Sequence, residues 1–143
     1  MLLALGGKID RAEVGPLPEN VLAYSWLPQL QVLAKADLSI NHGGIHTINE
    51  CIHFGVPMLV YSGKRSDQDG CAARVHYHQV GIMADKDIDT SEEIRQKITQ
   101  LLTDESYQQS IETMQLHHRR YRDEQVLENI IQEKLGQRAL SST

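Results

Sequence analysis

Cysteine is nearly absent from this chain of 143 residues, which holds only Cys51 and Cys71. The pair lacks CxxC spacing and the density of a disulfide scaffold, which excludes a stapled extracellular module and points to a reducing cytoplasm. Long apolar runs are missing too, since none approaches the roughly 20 residues that cross a bilayer. The opening Met1-Leu2-Leu3-Ala4-Leu5 stops at Gly6-Gly7 without a basic flank and reads as a strand, not a signal peptide. Basic charge is scarce. Lys and Arg number 14 against 19 Asp and Glu, a formal net charge of −5, so the chain has no basic footprint for a nucleic acid. Any anionic ligand is therefore to be held by local dipoles and donors instead of the overall field. Internal repeats and low-complexity tracts are also missing. What is present, 41% hydrophobic and 23% charged residues, is the balance of an ordinary globular protein. The length suits one domain with a real core.

Short apolar runs alternate with longer periodic ones. Leu2–Leu5 reads as a strand, followed by a polar loop over Gly7–Asn20 with Gly15, Pro16 and Pro18. Val21–Trp26 reads as a strand, Leu30–Ala36 as a short helix after Pro28, and Leu38-Ser39-Ile40 as a brief strand. Apolar residues at 45, 48, 51 and 52 predict a helix over Ile45–Phe54, ended by Gly55. Met58–Tyr61 is the next strand, then a helix from about Asp69 to Gln79 and a strand over Val80–Ala84. Thr90-Ser91 offers an N-cap to a helix with acidic residues in its first turn. Helical patterns close the chain over Tyr107–Tyr121 and Val126–Leu135. Alternation of this kind predicts a Rossmann-like α/β fold, a parallel sheet flanked by helices. The expected organisation is a single domain over 1–136 and a flexible tail over 137–143. Ligands of such sheets sit beyond the carboxyl ends of strands, which directs attention to Trp26–Gln29, His42–Glu50 and Ser62–Gln68.

At His42-Gly43-Gly44 a strand ends, two glycines turn the chain and a helix begins. Backbone N–H groups and the positive end of the helix dipole then face outward, which suits a phosphate or diphosphate. Gly43 and Gly44 have no Cβ to keep a phosphate away. Thr47 can donate a hydroxyl, and His42 or His46 an imidazole N–H. Glu50, one turn after His46, can accept two hydrogen bonds from a ribose diol. The plain alternative is a tight turn with a polar helix start. A sharper one is zinc, because His42, His46 and Glu50 are spaced four apart and would share a face of one continuous helix; the two glycines argue against a helix that begins before His42. Trp26, the only tryptophan, is either core or, on its strand-end loop, a flat face for a nucleobase. Asp67-Gln68 joins a carboxylate to a carboxamide, a pair that can hold several sugar hydroxyls; a solvated loop or helix cap is the alternative.

In this order and at this spacing, Trp26-x-Pro28-Gln29, His42-Gly43-Gly44, Thr47, Glu50, Gly55-Val56-Pro57 and Asp67-Gln68 resemble the donor-binding signature of family 1 glycosyltransferases. These are UDP-sugar enzymes of GT-B architecture, among them plant secondary-product and bacterial macrolide and carotenoid transferases. The signature spans Trp26 to about Arg74. The resemblance implies that the chain is the C-terminal, donor-binding half of an inverting enzyme that transfers a hexose, glucose by default, to an acceptor hydroxyl. It implies Trp26 stacked on uracil with Gln29 near the ribose, and His42, Gly43, Gly44, His46 and Thr47 at the diphosphate. Glu50 would hold the ribose hydroxyls, and Asp67 with Gln68 the transferred sugar.

The stretch from Pro57 to Asp67 is one residue longer than the pattern, Ser62-Gly63 replaces a frequent proline, and Cys71 stands where Asn is common. The resemblance further implies no metal and no cofactor beyond the UDP-sugar co-substrate, a small-molecule acceptor, and a separate N-terminal domain that supplies both acceptor pocket and catalytic base. No catalytic residue is therefore assigned here, and the half is expected to be inactive alone. Two other readings go with the same residues: the donor-binding subunit of a split, membrane-associated transferase, and a non-enzymatic nucleotide-binding module.

Overall fold

The computed structural model describes residues 1–63, 66–123 and 128–134. They fall into two compact units that divide between Lys35 and Ala36. In the first, strand β1 (Leu2–Ala4) pairs in parallel with β2 (Leu22–Tyr24), Leu3 opposite Ala23. Between them the loop that the sequence marks only as polar holds a 3-10 turn over Arg11–Val14. Its cause is a reciprocal capping box: Asp10 Oδ1 accepts from Ala12 N–H at 2.9 Å, and Asp10 N–H donates to Glu13 Oε1 at 2.8 Å. Helix α1 (Gln29–Leu33) follows Pro28 and is shorter than expected.

The second unit runs β3 (Ser39–Asn41), α2 (Ile45–Phe54), β4 (Met58–Tyr61), α3 (Ser66–Tyr77), β5 (Gly81–Ala84), α4 (Ser91–Thr103) and α5 (Glu105–Asp123). Residues 128–134 are helical as well; the ends of the last expected helix and the tail over 137–143 lie outside the described residues. The sheet order is β3-β4-β5, all parallel, with Ile40 opposite Leu59 and Leu59 opposite Ile82. Central β4 is therefore paired along both edges, and the burial of consecutive Met58, Leu59 and Val60 shows both of its faces covered, as for a continuous apolar run in a parallel sheet. Leu59, Ile82, Ala84 and Leu101 form one cluster, against which Leu38, Tyr61, Ile98 and Tyr107 pack.

Two devices, one local and one distant in sequence, fix the end of α2. Gly55 ends it in the left-handed region (φ 70°, ψ 35°), and Gln115 of α5 reaches back so that its Nε2 donates to the His53 carbonyl at 2.6 Å. Helix α3 begins three residues earlier than its expected start at Asp69, which puts Asp67 and Asp69 in its first turn, where carboxylates meet the positive end of the dipole. Thr90 caps α4 in a capping box with Glu93, as the sequence indicated.

Behind β4 and β5, Tyr61 donates its hydroxyl to Asp89 Oδ2 at 2.9 Å, and Lys97 forms a close ion pair with the same oxygen. The Asp89 side chain is only 6% exposed. The Lys97 hydrogen bond, foremost, and the Tyr61 hydroxyl hold its carboxyl below the ordinary 3.8, while burial, then Asp89, pushes Tyr61 up to about 12 and keeps that hydroxyl a donor. A carboxyl whose folded pKa is depressed stabilises the fold above its unfolded pKa and loses that contribution as pH falls through the folded value. Asp89→Asn is therefore expected to be less stable than the parent at pH 7 and to lose less stability on acidification from pH 7 to below 3.8. Urea midpoints measured across that range check it; parallel curves for the two proteins would refute the linkage.

Candidate functional site at the start of helix α2

The turn between β3 and α2 is built by three residues. Asn41 accepts the Gly43 N–H on Oδ1 at 2.9 Å and donates from Nδ2 to Ser39 Oγ at 3.2 Å. Gly43 is buried with φ +79°, and a Cβ there would lie 2.9 Å from Val60 Cγ1 and 3.3 Å from the Gln68 carbonyl oxygen. Only glycine fits that conformation and that gap. The same contact shows that the start of α2 and the first turn of α3 adjoin. Gly44 is the N-cap of α2, extended at φ −65°, ψ 132°, and no side chain caps the helix there. The dipole and the first N–H groups thus end at a residue without a side chain.

His42 is exposed, and its ring takes the space beside Gly44. A Cβ on Gly44 would stand 2.8 Å from His42 Nε2 and 3.4 Å from Cε1. An imidazole nitrogen is in this way placed at the open helix start. His46 is exposed in the first turn, and Thr47 and Glu50 are half-buried farther along; 46 and 50 share one face at i, i+4 spacing. The exposed Asp67 and half-buried Gln68 complete the group from α3. His42, Gly43, Gly44, His46, Thr47, Glu50, Asp67 and Gln68 therefore belong to one unit, on consecutive strand-end loops and helix starts. Trp26 and Gln29 belong to the first unit. There Trp26 stands 76% exposed on the loop after β2, which removes the core alternative, and Gln29 opens α1.

The zinc alternative needed His42 and His46 on one helix. Helix α2 starts at Ile45, with Gly44 as its cap, so His42 lies outside it. Among the described residues no group of three or more His, Cys, Asp or Glu side chains is placed to hold a metal ion. Both cysteines are free thiols, and burial, ahead of a lowering Ser39 hydrogen bond, pushes Cys51 up to about 11. Asn41 escaped the sequence reading. Its signal was present, since Asn two residues before a turn glycine is a common side-chain cap of that turn.

Gly44→Ala tests the placement of His42. The neighbour that must give way is the end of a flexible side chain, so the expected result is a shifted set of His42 ring proton signals with a urea midpoint close to the parent's. Unchanged ring signals would mean that the imidazole does not stand beside Gly44.

Parallel strands flanked by helices, with glycines opening a helix at a strand's carboxyl end, define an α/β fold of the Rossmann-like kind. Residues 3–123 match the family model of the erythromycin biosynthesis protein CIII-like C-terminal domain. The chain belongs to that family, the C-terminal domains of family 1 glycosyltransferases. It is similar to the protein named uncharacterized UDP-glucosyltransferase YdhE of Bacillus subtilis (strain 168), at 31% identity over 131 residues, covering 91% of this chain and 33% of the relative. Among solved structures it resembles the glycosyltransferase of kitacinnamycin (TM-score 0.79, 30% identity, 90% of this chain and 34% of that one). It also resembles glycosyltransferase VinC in complex with dTDP (TM-score 0.71, 26% identity, 75% and 27%). The chain thus spans about a third of the length of these proteins. No helix among the described residues is long and apolar enough to cross a membrane.

Proposed function

We propose that this chain binds the nucleotide-sugar donor of an inverting, metal-independent glycosyltransferase that moves a hexose from UDP to an acceptor hydroxyl. The observation that carries the reading is the open start of α2, where buried Gly43, uncapped Gly44 and the His42 ring converge. That arrangement offers a diphosphate backbone donors, a helix dipole and an imidazole N–H without steric obstruction. On this reading His46 and Thr47 add donors to the phosphates, Glu50 takes the ribose hydroxyls, and Asp67 with Gln68 takes the hexose. Trp26 stacks on the base, with Gln29 near the ribose. No cofactor is required beyond the UDP-sugar.

A complementary N-terminal domain supplies the acceptor pocket and the base that deprotonates a small-molecule acceptor. This half orients the donor and stabilises charge on the departing diphosphate. A cytoplasmic setting accompanies the proposal, resting on the two separate free thiols.

Calorimetric titration with UDP, dTDP and UDP-glucose tests it, since one similar structure holds dTDP. Saturable UDP binding is expected, unaffected by EDTA and weakened in Glu50→Ala by roughly tenfold or more, the worth of a charge-assisted hydrogen bond. A folded chain that binds none of the three would overturn the proposal. Tighter binding of dTDP than of UDP would keep the donor site and change its base.

A further inference from the structure

The segment between β4 and α3 is the part of the donor signature that departs from the family pattern, with one additional residue and Ser62-Gly63 in place of a proline. Ser62 and Gly63 of this segment are tied to α3. Gly63 N–H donates to Gln68 Oε1 at 3.0 Å, and Ser62 Oγ–H donates to Asp69 Oδ1. The first bond identifies the carboxamide's orientation, because a backbone N–H can be received only by the amide oxygen. It commits that oxygen to the loop and leaves Nε2, with two donors, as the hydrogen-bonding end available to a ligand. The approach is close: a Cβ on Gly63 would lie 2.8 Å from Gln68 Oε1. Gly63 thus acts directly on the orientation of one side chain, Gln68.

We propose that Gly63 is a positioning residue for the sugar subsite: its N–H presets the Gln68 carboxamide as a donor toward the hexose, and the absence of a Cβ makes that contact possible. This rests on the donor-site reading, in which Gln68 faces the sugar. Nucleotide affinity and sugar affinity are then separable, because the Gly63 N–H is bonded to the residue assigned to the hexose. The backbone N–H remains in Gly63→Ala, but the methyl group displaces the carboxamide and turns its donors away.

The test is calorimetric titration of the full chain and of Gly63→Ala, Gln68→Ala and the double variant with UDP and with UDP-glucose, after circular dichroism and urea midpoints have shown each to be folded. For Gly63→Ala the ratio of UDP-glucose to UDP affinity is expected to fall roughly three- to tenfold, the worth of one hydrogen bond, with UDP affinity unchanged. The double variant should be no weaker toward UDP-glucose than Gln68→Ala alone, because residues that act through one contact are not additive. An unchanged ratio, an equal loss for both ligands, or additive losses in the double variant would overturn the proposal while leaving the donor site in place. Absence of UDP binding by the parent chain would instead overturn the donor-site reading, and this inference with it.

Discussion

Gly81→Ala is expected to cost the protein its cooperative fold. Gly81 begins β5, opposite Met58 of the central strand. A Cβ there would lie 2.1 Å from the Met58 carbonyl oxygen, 2.9 Å from its carbonyl carbon and 2.7 Å from Val75 Cγ1. Two of the three obstacles are backbone of the best-buried strand, where Met58, Leu59 and Val60 have no exposure at all, so no rotamer change relieves the contact. Overpacking of an adaptable core costs about 1–3 kcal/mol. Here β4 and β5 must separate or α3 must lift, so the expected cost exceeds about 3 kcal/mol and approaches the whole stability of a small domain. The control is Gly70→Ala within α3, where an added Cβ meets nothing within 4 Å; it should stabilise the protein by about 0.5–1 kcal/mol through helix propensity. Urea unfolding followed by circular dichroism reads both. A Gly81→Ala protein with a midpoint near the parent's would mean that β5 can move away from β4 cheaply.

The sequence announces the elements whose cause is local. Helix α2 and strand β4 have the bounds that periodicity and Gly55 mark, and Thr90 caps α4 as its Ser and Glu neighbours suggest. The turn glycines and His42 were legible for the same reason, as a strand end, a turn and a helix start lie within a few residues.

What was missed depends on partners farther away or on propensity overridden by packing. Helix α3 starts at Ser66, ahead of the expected Asp69, and runs through Gly70 because Ala72 and Val75 are buried beyond it. The 3-10 turn over Arg11–Val14 was written in Asp10 and Glu13, but Gly15, Pro16 and Pro18 beyond it suggested only loop. The Gln115 bond to the His53 carbonyl joins residues 62 apart in sequence, and no periodicity reports such a pair. Trp26 illustrates the limit of composition. A lone tryptophan belongs by habit to a core, and only the fold shows it 76% exposed.

On the donor-site reading, His42→Ala in the complete glycosyltransferase is expected to lower kcat by about 10²–10³, the cost of removing one preorganised donor from an oxyanion site. UDP affinity should fall far less. The reason lies in where charge appears. In the ground state the diphosphate already carries its charge, shared among the α2 N–H groups, Thr47 and solvent. As the bond from the anomeric carbon to the departing oxygen breaks, further negative charge builds on that oxygen. The imidazole placed beside Gly44 is then worth most, because only interactions that strengthen in the transition state raise kcat. Gly43 and Gly44 allow the backbone to approach the same phosphate, so substitution of either should harm binding as well as turnover, and His42→Ala is the variant that separates the two. Steady-state kinetics with a saturating acceptor, set beside calorimetric UDP binding, makes the comparison. Equal losses in kcat and UDP affinity would make His42 a ground-state ligand, and the stabilisation of the leaving group would then fall to the helix start alone.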